Sequence, residues 1–403
     1  MLTPKSGPGV NFCCVAVLEE ARSFSVGGGY VLDGRMMTTL GVRRSVVVVG
    51  LIAFLLVVLA ALLATGCGNS GDLPSAGGSG SDGKKVGLSG AGATFPEPLY
   101  LEWIGEFMQI DTGTEINYQG IGSGGGIQQF TLGTVDFGAT DAPMTDQEIQ
   151  AAEEKSGAHV LHIPTVLGAV VVVYNLGDTQ GLKLDPEVLS GIFLGEITNW
   201  RDPKIIALNA SANLPDRQIQ VVHRSDSSGT TSIFTGYLSA VSETWQAEVG
   251  SGKDVRWPVG IGGQGNDGSA AVIQQQEGSI GYVEFSYAQE TGLPTMSLKN
   301  ADGEFVSPSL ESTAAAGVGA RIPEDLRFSL SNSQTAGAYP IVGATWILAY
   351  DSMEDQGKAE ALKGFLRWAI EKGDARAKEL QYAPIAGSLE EKALAKIDAI
   401  GSS

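Results

Sequence analysis

Three stretches of the chain share one pattern, an apolar strand signal, a polar glycine-rich loop and then a helical repeat. In the first, Val86 and Leu88 lead into G-A-G-A-T-F-P (90–96), after which Tyr100, Trp103, Ile104, Phe107 and Met108 recur at helical spacing. Pro96 and Pro98 suit the first turn of that helix, and Thr94 is placed to cap it. In the second, a strand at 115–118 runs into Q-G-I-G-S-G-G-G (119–126), and Ile127, Phe130 and Leu132 start another helix. In the third, Ile219, Val221 and Val222 precede R-S-D-S-S-G-T (224–230), and Phe234, Tyr237, Leu238 and Val241 form one buried helix face.

The remaining pattern fills in an α/β body. Val135, Phe137 and Ala139 alternate with Asp136 and Gly138 as a strand, leaving Asp141 in a turn with Pro143. The run 166–174 reads as a fully buried strand able to cross between two lobes. Residues 161–164, 280–285 and 341–350 read as strands, 194–200 and 262–268 as turns around helices. Leu362, Phe365, Leu366, Ala369 and Ile370 mark a long C-terminal helix. Strands alternating with helices predict largely parallel sheets.

The three loops carry the chemistry. A helix start presents backbone N–H groups without intrahelical partners at the positive end of the dipole, so Gly229 and Thr230 can offer amides to an anion. Arg224 adds a planar donor fork that fits two oxygens of a tetrahedral oxyanion, and Asp226 can hold that fork in place. Ser123 supplies a hydroxyl, and the glycines after it allow close backbone approach. Any one loop alone fits a plain capped turn. It is the repetition that points to an oxyanion site.

Composition narrows the partners. With 403 residues and 43% hydrophobic content, the chain can form more than one domain with real cores. A net charge of −19 argues against nucleic acid or anionic membrane surfaces, and an anion must be held by local donors rather than long-range steering. The cysteines are Cys13, Cys14 and Cys67, so the body beyond residue 85 has no disulfide framework or Cys metal site. His159, His162 and His223 stand in no H-E-x-x-H pattern, and neither a metal nor another cofactor is expected.

The N-terminal 85 residues read separately. Residues 1–35 show no period and carry acids where an export signal is basic, so they read as a start-site extension, with Met36 or Met37 a better start. Residues 36–67 give a short polar segment with Arg43 and Arg44, an apolar run 46–64 and Thr65-Gly66-Cys67, the order of a secretory signal. The end of that run, L-L-A-T-G-C, resembles a bacterial lipoprotein signal, which implies lipidation at Cys67. The competing reading is a transmembrane anchor, since the run is nearly long enough to span. Either tether puts the body outside the cytoplasm, in a periplasm or on the outer cell surface. Residues 68–85 are a flexible linker with a root-mean-square span of about 25 Å.

Taken together, G-A-G-A-T-F-P, Y-Q-G-I-G-S-x-G-G, V-D-F-G-A-x-D-A-P, R-x-D-x-S-G-T, G-x-G-N-D-G and G-Y-V-E-F-x-Y-A resemble the substrate-binding protein of the high-affinity phosphate ABC transporter. The resemblance runs in order from about Leu88 to the C-terminus. It implies a type II periplasmic-binding-protein fold, two α/β lobes with a ligand cleft between them. Residues 86–165 and 337–403 would form one lobe and 166–336 the other. It also implies a phosphate site in which Thr94, Phe95, Ser123, Arg224, Ser228, Gly229 and Thr230 donate, while Asp141 accepts a proton from the ligand. Gly124 stands where the family often has Ser, and Ser227 where it often has Gly. The implied partners are inorganic phosphate and the membrane permease subunits of an ABC importer, the protein acting as a monomer and not as an enzyme.

The alternatives are a secreted phosphatase or other Ser-dependent hydrolase, using Ser228 or Ser123 with Asp141 as base, and a structural or adhesive surface lipoprotein. The first lacks a convincing activating base or metal. The second leaves three anion loops without a purpose.

Overall fold

A computed structural model describes residues 85–402. The start-site extension, the signal with Cys67 and nearly all of the linker lie outside the described residues. Among the described residues no helix is long and apolar enough to cross a membrane.

The strands are β1 Val86–Gly92, β2 Thr114–Gly120, β3 Phe137–Thr140, β4 Val160–Tyr174, β5 Lys183–Leu184, β6 Gln220–Arg224, β7 Ile261–Gly263, β8 Ser279–Glu284, β9 Ser297–Lys299, β10 Phe305–Val306, β11 Val342–Tyr350 and β12 Ala383–Pro384. Eight of the nine strands of the main sheet run in the order β2-β1-β3-β11-β4-β8-β6-β7, with β12 paired to β4, and β10-β9-β5 form a small separate sheet.

The connection between the two halves is β4, fifteen residues of which all but the first are buried. Its first part pairs with β11, from Val160 opposite Tyr350 to Ala169 opposite Val342. Its last five residues pair instead with β8, starting at Val170 opposite Glu284. One apolar strand thereby belongs to two half-sheets, which is why 166–174 lacks the polar alternation of a one-faced strand. The 161–164 signal is the start of that same strand. Pro164, which cannot donate to a ladder, sits opposite Trp346, where the register shifts between Thr345 and Trp346.

The sheet is mixed, not largely parallel. Parallel pairs join β1 to β2 and β3, and β6 to β7 and β8. The pairs β3–β11, β11–β4 and β4–β8 are antiparallel, because the chain returns through the sheet where it passes between the halves. The segment 262–268 also differs from a plain turn, since it holds the end of β7 and the start of helix Gly265–Gln275. Apolar helix faces cover the sheet, Trp103, Ile104 and Phe107 from helix Glu97–Ile110 and Phe365, Leu366 and Ile370 from helix Gln356–Lys372.

Candidate functional site

Each glycine-rich loop leaves the C-terminal end of a parallel strand and enters a helix. β1 leads through Thr94 and Phe95 into helix Glu97–Ile110, β2 into helix Ser123–Leu132, and β6 into helix Gly229–Val241. Such crevices beyond the carboxyl ends of strands are where open α/β sheets take ligands.

Thr94 does not cap its helix. Pro96 occupies the cap position without a side-chain bond, and the Thr94 hydroxyl instead accepts from Asn266, from its backbone N–H at 3.2 Å and its Nδ2 at 3.0 Å. Two residues upstream of the cap, that hydroxyl is free to face the cleft. The Thr94 and Phe95 carbonyls are held from behind by the Tyr287 and Tyr382 hydroxyls, at 2.6 and 2.7 Å.

Ser123 is the first residue of its helix, after Gly122, whose φ of 86° suits glycine. Ser228 is the N-cap of its helix and accepts from the Thr231 N–H at 3.1 Å, so its own proton stays available. Gly229 and Thr230 follow as the first two helical residues, whose N–H groups have no intrahelical acceptor.

The structure brings these residues together. A Cβ on Gly229 would lie 2.5 Å from Ser123 Oγ, 2.6 Å from Asp141 Cβ and 2.7 Å from Asp141 Oδ2. Only glycine lets the third loop come this close. Further contacts cross the cleft: the Gly124 N–H donates to Ser227 O at 2.9 Å, and Lys253 Nζ lies 2.7 Å from Glu148 Oε1.

Arg224 is buried, its side chain 1% exposed. Asp226 receives its Nε at 2.8 Å and its Nη2 at 2.5 Å, and Thr230 Oγ1 receives Nη1 at 3.2 Å. A guanidinium has five N–H groups, so one on Nη1 and one on Nη2 remain for a ligand. Burial would raise the Asp226 carboxyl, but the hydrogen bonds and charge of Arg224 hold it below its ordinary value.

Asp141 is the acceptor among these donors. Its Oδ1 takes the Thr345 hydroxyl at 2.8 Å, and Ser123 Oγ lies 3.3 Å from its Oδ2. Burial pushes Asp141 up to about 7, against the pull of the Thr345 hydrogen bond and of Arg224. A second buried acid, Glu284, stands where β8 joins β4. Burial pushes it up to about 8, opposed by hydrogen bonds from Ser286 and Tyr382, and its Oε1 has no partner among the described residues.

Sequence reasoning missed Thr345, Asn266, Glu284 and Tyr382 as parts of this site. Thr345 had a signal, the lone aliphatic hydroxyl in the apolar run I-V-G-A-T-W-I-L-A-Y, and it lies at the register shift between Thr345 and Trp346. The histidines serve elsewhere. His223 stacks on Trp257 with ring centroids 4.8 Å apart, His162 Nε2 accepts the Met144 N–H, and His159 pairs with Glu153. Among the described residues no group of three or more His, Cys, Asp or Glu could hold a metal ion.

A two-lobed sheet in which donors from three loops converge beside a buried cation and the buried Asp141 defines a binding protein of the periplasmic type, with donor chemistry that suits an oxyanion. Residues 74–372 match the PBP superfamily domain. The chain is 44% identical over 316 residues to the phosphate-binding protein PstS of Pasteurella multocida, covering 77% of this chain and 89% of that one. It is 42% identical over 302 residues to the PstS protein of Haemophilus influenzae, covering 74% and 88%. A phosphate-binding protein from Stenotrophomonas maltophilia has the same fold, with a TM-score of 0.59 at 18% identity over 77% of this chain and 94% of that one. The chain belongs to the PstS family of phosphate-binding proteins.

A Cβ on Gly124 would run into the Ser227 side chain, so a side chain at either of these facing positions needs glycine at the other. Gly124→Ser should weaken phosphate binding about tenfold or more, and adding Ser227→Gly should restore most of it, since residues in contact are not additive. Titration of the two variants checks this, and additive losses would contradict it.

Asp141 and Glu284 are raised above their ordinary values of 3.8 and 4.5, so folding favours their neutral forms. Their contribution is complete below about pH 4 and is lost as pH rises through about 7 and 8. In the ligand-free protein, Asp141→Asn should raise Tm at pH 8 by on the order of 5 °C and change it little at pH 4. Thermal melts at the two pH values test this, and an equal effect at both would contradict it.

Proposed function

We propose that this protein captures inorganic phosphate outside the cytoplasm and delivers it to the permease subunits of an ABC importer, binding without turning it over. The observation that carries this reading is Asp141, buried at 3% exposure among donors and facing the Arg224 loop. The donors are Thr94, Phe95, Ser123, Arg224, Ser228, Gly229 and Thr230. They would satisfy the oxygens of a dehydrated tetrahedral anion, which a buried ion requires. Asp141 would take the proton of a P–OH group. Fully ionised sulfate has no proton to give and would meet an unpaired like charge.

The residues about 86–169 would form most of one lobe and 170–307 the other, divided where β4 changes partner between Ala169 and Val170. Residues 308–336 would join the first lobe, supported by Arg327 pairing with Asp146 at 2.7 Å and by Trp346 Nε1 donating to Leu326 O at 2.8 Å. This shifts the sequence-based boundary, 166–336 for the second lobe, at both ends. We further propose that Cys67 is lipidated, that 68–85 tether the body near the membrane, and that the protein is a monomer.

A Ser-dependent hydrolase would need an activating base at Ser123 or Ser228. Neither hydroxyl has a histidine partner, and the acid beside Ser123 is held by Thr345.

The test is calorimetric titration of a soluble chain beginning after Cys67, stripped of ligand, with phosphate and with sulfate. At pH 8 phosphate should bind one to one and sulfate should give no heat. Asp141→Asn should narrow the gap by about tenfold or more, since it replaces a charged acceptor with a donor. Sulfate should also gain ground below about pH 7, where Asp141 carries its own proton. Equal binding of the two anions by the unmodified protein at pH 8 would overturn the reading.

A further inference from the structure

The motif G-Q-G-N-D-G is left without a role by the donor set above, yet its Asn266 is fully buried at the centre of the site. Asn266 is the second residue of helix Gly265–Gln275. The orientation of its amide is fixed by its neighbours. The backbone N–H of Glu284 can only donate, and it lies 3.0 Å from Oδ1. That leaves Nδ2 facing two hydroxyls, Thr94 Oγ1 at 3.0 Å and Thr230 Oγ1 at 3.3 Å.

The hydrogen-bond inventory then settles both hydroxyls. A threonine oxygen has one proton to give and two lone pairs. The Thr94 lone pairs are taken by the Asn266 N–H, at 3.2 Å, and its Nδ2. Those of Thr230 are taken by Asn266 Nδ2 and by Arg224 Nη1 at 3.2 Å. Each hydroxyl has only its proton left, and among the described residues neither proton has an acceptor.

We propose that Asn266 is a positioning residue for the anion site. It commits the Thr94 and Thr230 hydroxyls to donate into the cleft, and so tunes the site for a ligand whose oxygens accept. Thr94 follows β1 and Asn266 follows β7, in opposite halves of the main sheet. The Thr94 hydroxyl is therefore committed by a contact between the two halves, whereas that of Thr230, which follows β6 beside β7, is committed within one of them. Glu284 lies where β8 meets β4, so the same amide also joins the site to the strand shared by both halves.

The inference rests on the phosphate reading, and its test separates the two. Phosphate affinity is measured by calorimetry for the unmodified protein, Asn266→Asp, Thr230→Val and the double variant, with Tm recorded for each. Asn266→Asp keeps an oxygen for the Glu284 N–H but turns the face toward the threonines into an acceptor, which draws their protons away from the ligand.

The expected result at pH 8 is a loss of about 100-fold in affinity for Asn266→Asp, since two donors to a charged group are withdrawn. In the Thr230→Val background the same substitution should cost at least about threefold less, because one of the hydroxyls it acts through is gone. Its deficit relative to the unmodified protein should shrink toward pH 5, as an aspartic acid that regains its proton can donate again. A cost that is the same in both backgrounds, or an Asn266→Asp protein that binds like the unmodified one, overturns the inference. If Asn266→Asp does not fold, Asn266→Leu takes its place in the same cycle, where a smaller cost in the Thr230→Val background supports the inference and an equal cost overturns it. Failure of the unmodified protein to bind phosphate would instead sink the phosphate reading.

Discussion

Arg224 is buried with its side chain 1% exposed, and a guanidinium taken out of water must have its charge answered and its N–H groups used. Asp226 answers most of the charge and occupies one edge of the fork. What remains is a rigid pair of N–H groups with little net charge, which in the proposed site would meet the anion as directed hydrogen bonds. This suits a chain whose formal net charge is −19, because specificity is built from donors within a few ångströms and needs no attractive field. It also explains how Asp141 can sit in the same cavity. Its carboxyl is raised to about 7, so the empty site holds that negative charge only in part near neutral pH.

The second constraint is closeness. Three strand–loop–helix units must bring their helix starts to one point from both halves of the sheet, and glycine is what permits it at Gly229 and Gly124. The facing pair Gly124 and Ser227 shows how tight the contact is, with room for one side chain between two backbones. Contacts that cross the cleft, such as Lys253 with Glu148, hold the halves together around the site. The strand β4, shared by both half-sheets, gives them a common core element.

Much of this was legible in the sequence because local chemistry and local structure agree there. The three loops announced themselves through strand and helix periods flanking Gly, Ser and Thr, and the apolar run of β4 showed a strand buried on both faces. The antiparallel crossings were not legible, since strand order depends on where the chain returns through the sheet. Thr94 looked like a cap by position alone, but Asn266, from 172 residues away, claims its hydroxyl. Thr345 and Glu284 were hidden for the same reason. Each is a polar residue in or ending a largely apolar strand, and only the pairing of that strand with its neighbours shows what it faces.

The central claim is that the buried carboxylate of Asp141 accepts the ligand proton while the surrounding groups donate. The most direct measurement is a high-resolution structure of the phosphate complex at pH 8. The account predicts a phosphate oxygen within about 2.5–2.7 Å of Asp141, the short contact of a charge-assisted O–H···O bond, with the remaining oxygens on the Arg224, Thr94 and Ser228 to Thr230 donors. A phosphate oxygen no closer than about 3.5 Å to that carboxylate, or a cation lying between them, would contradict it.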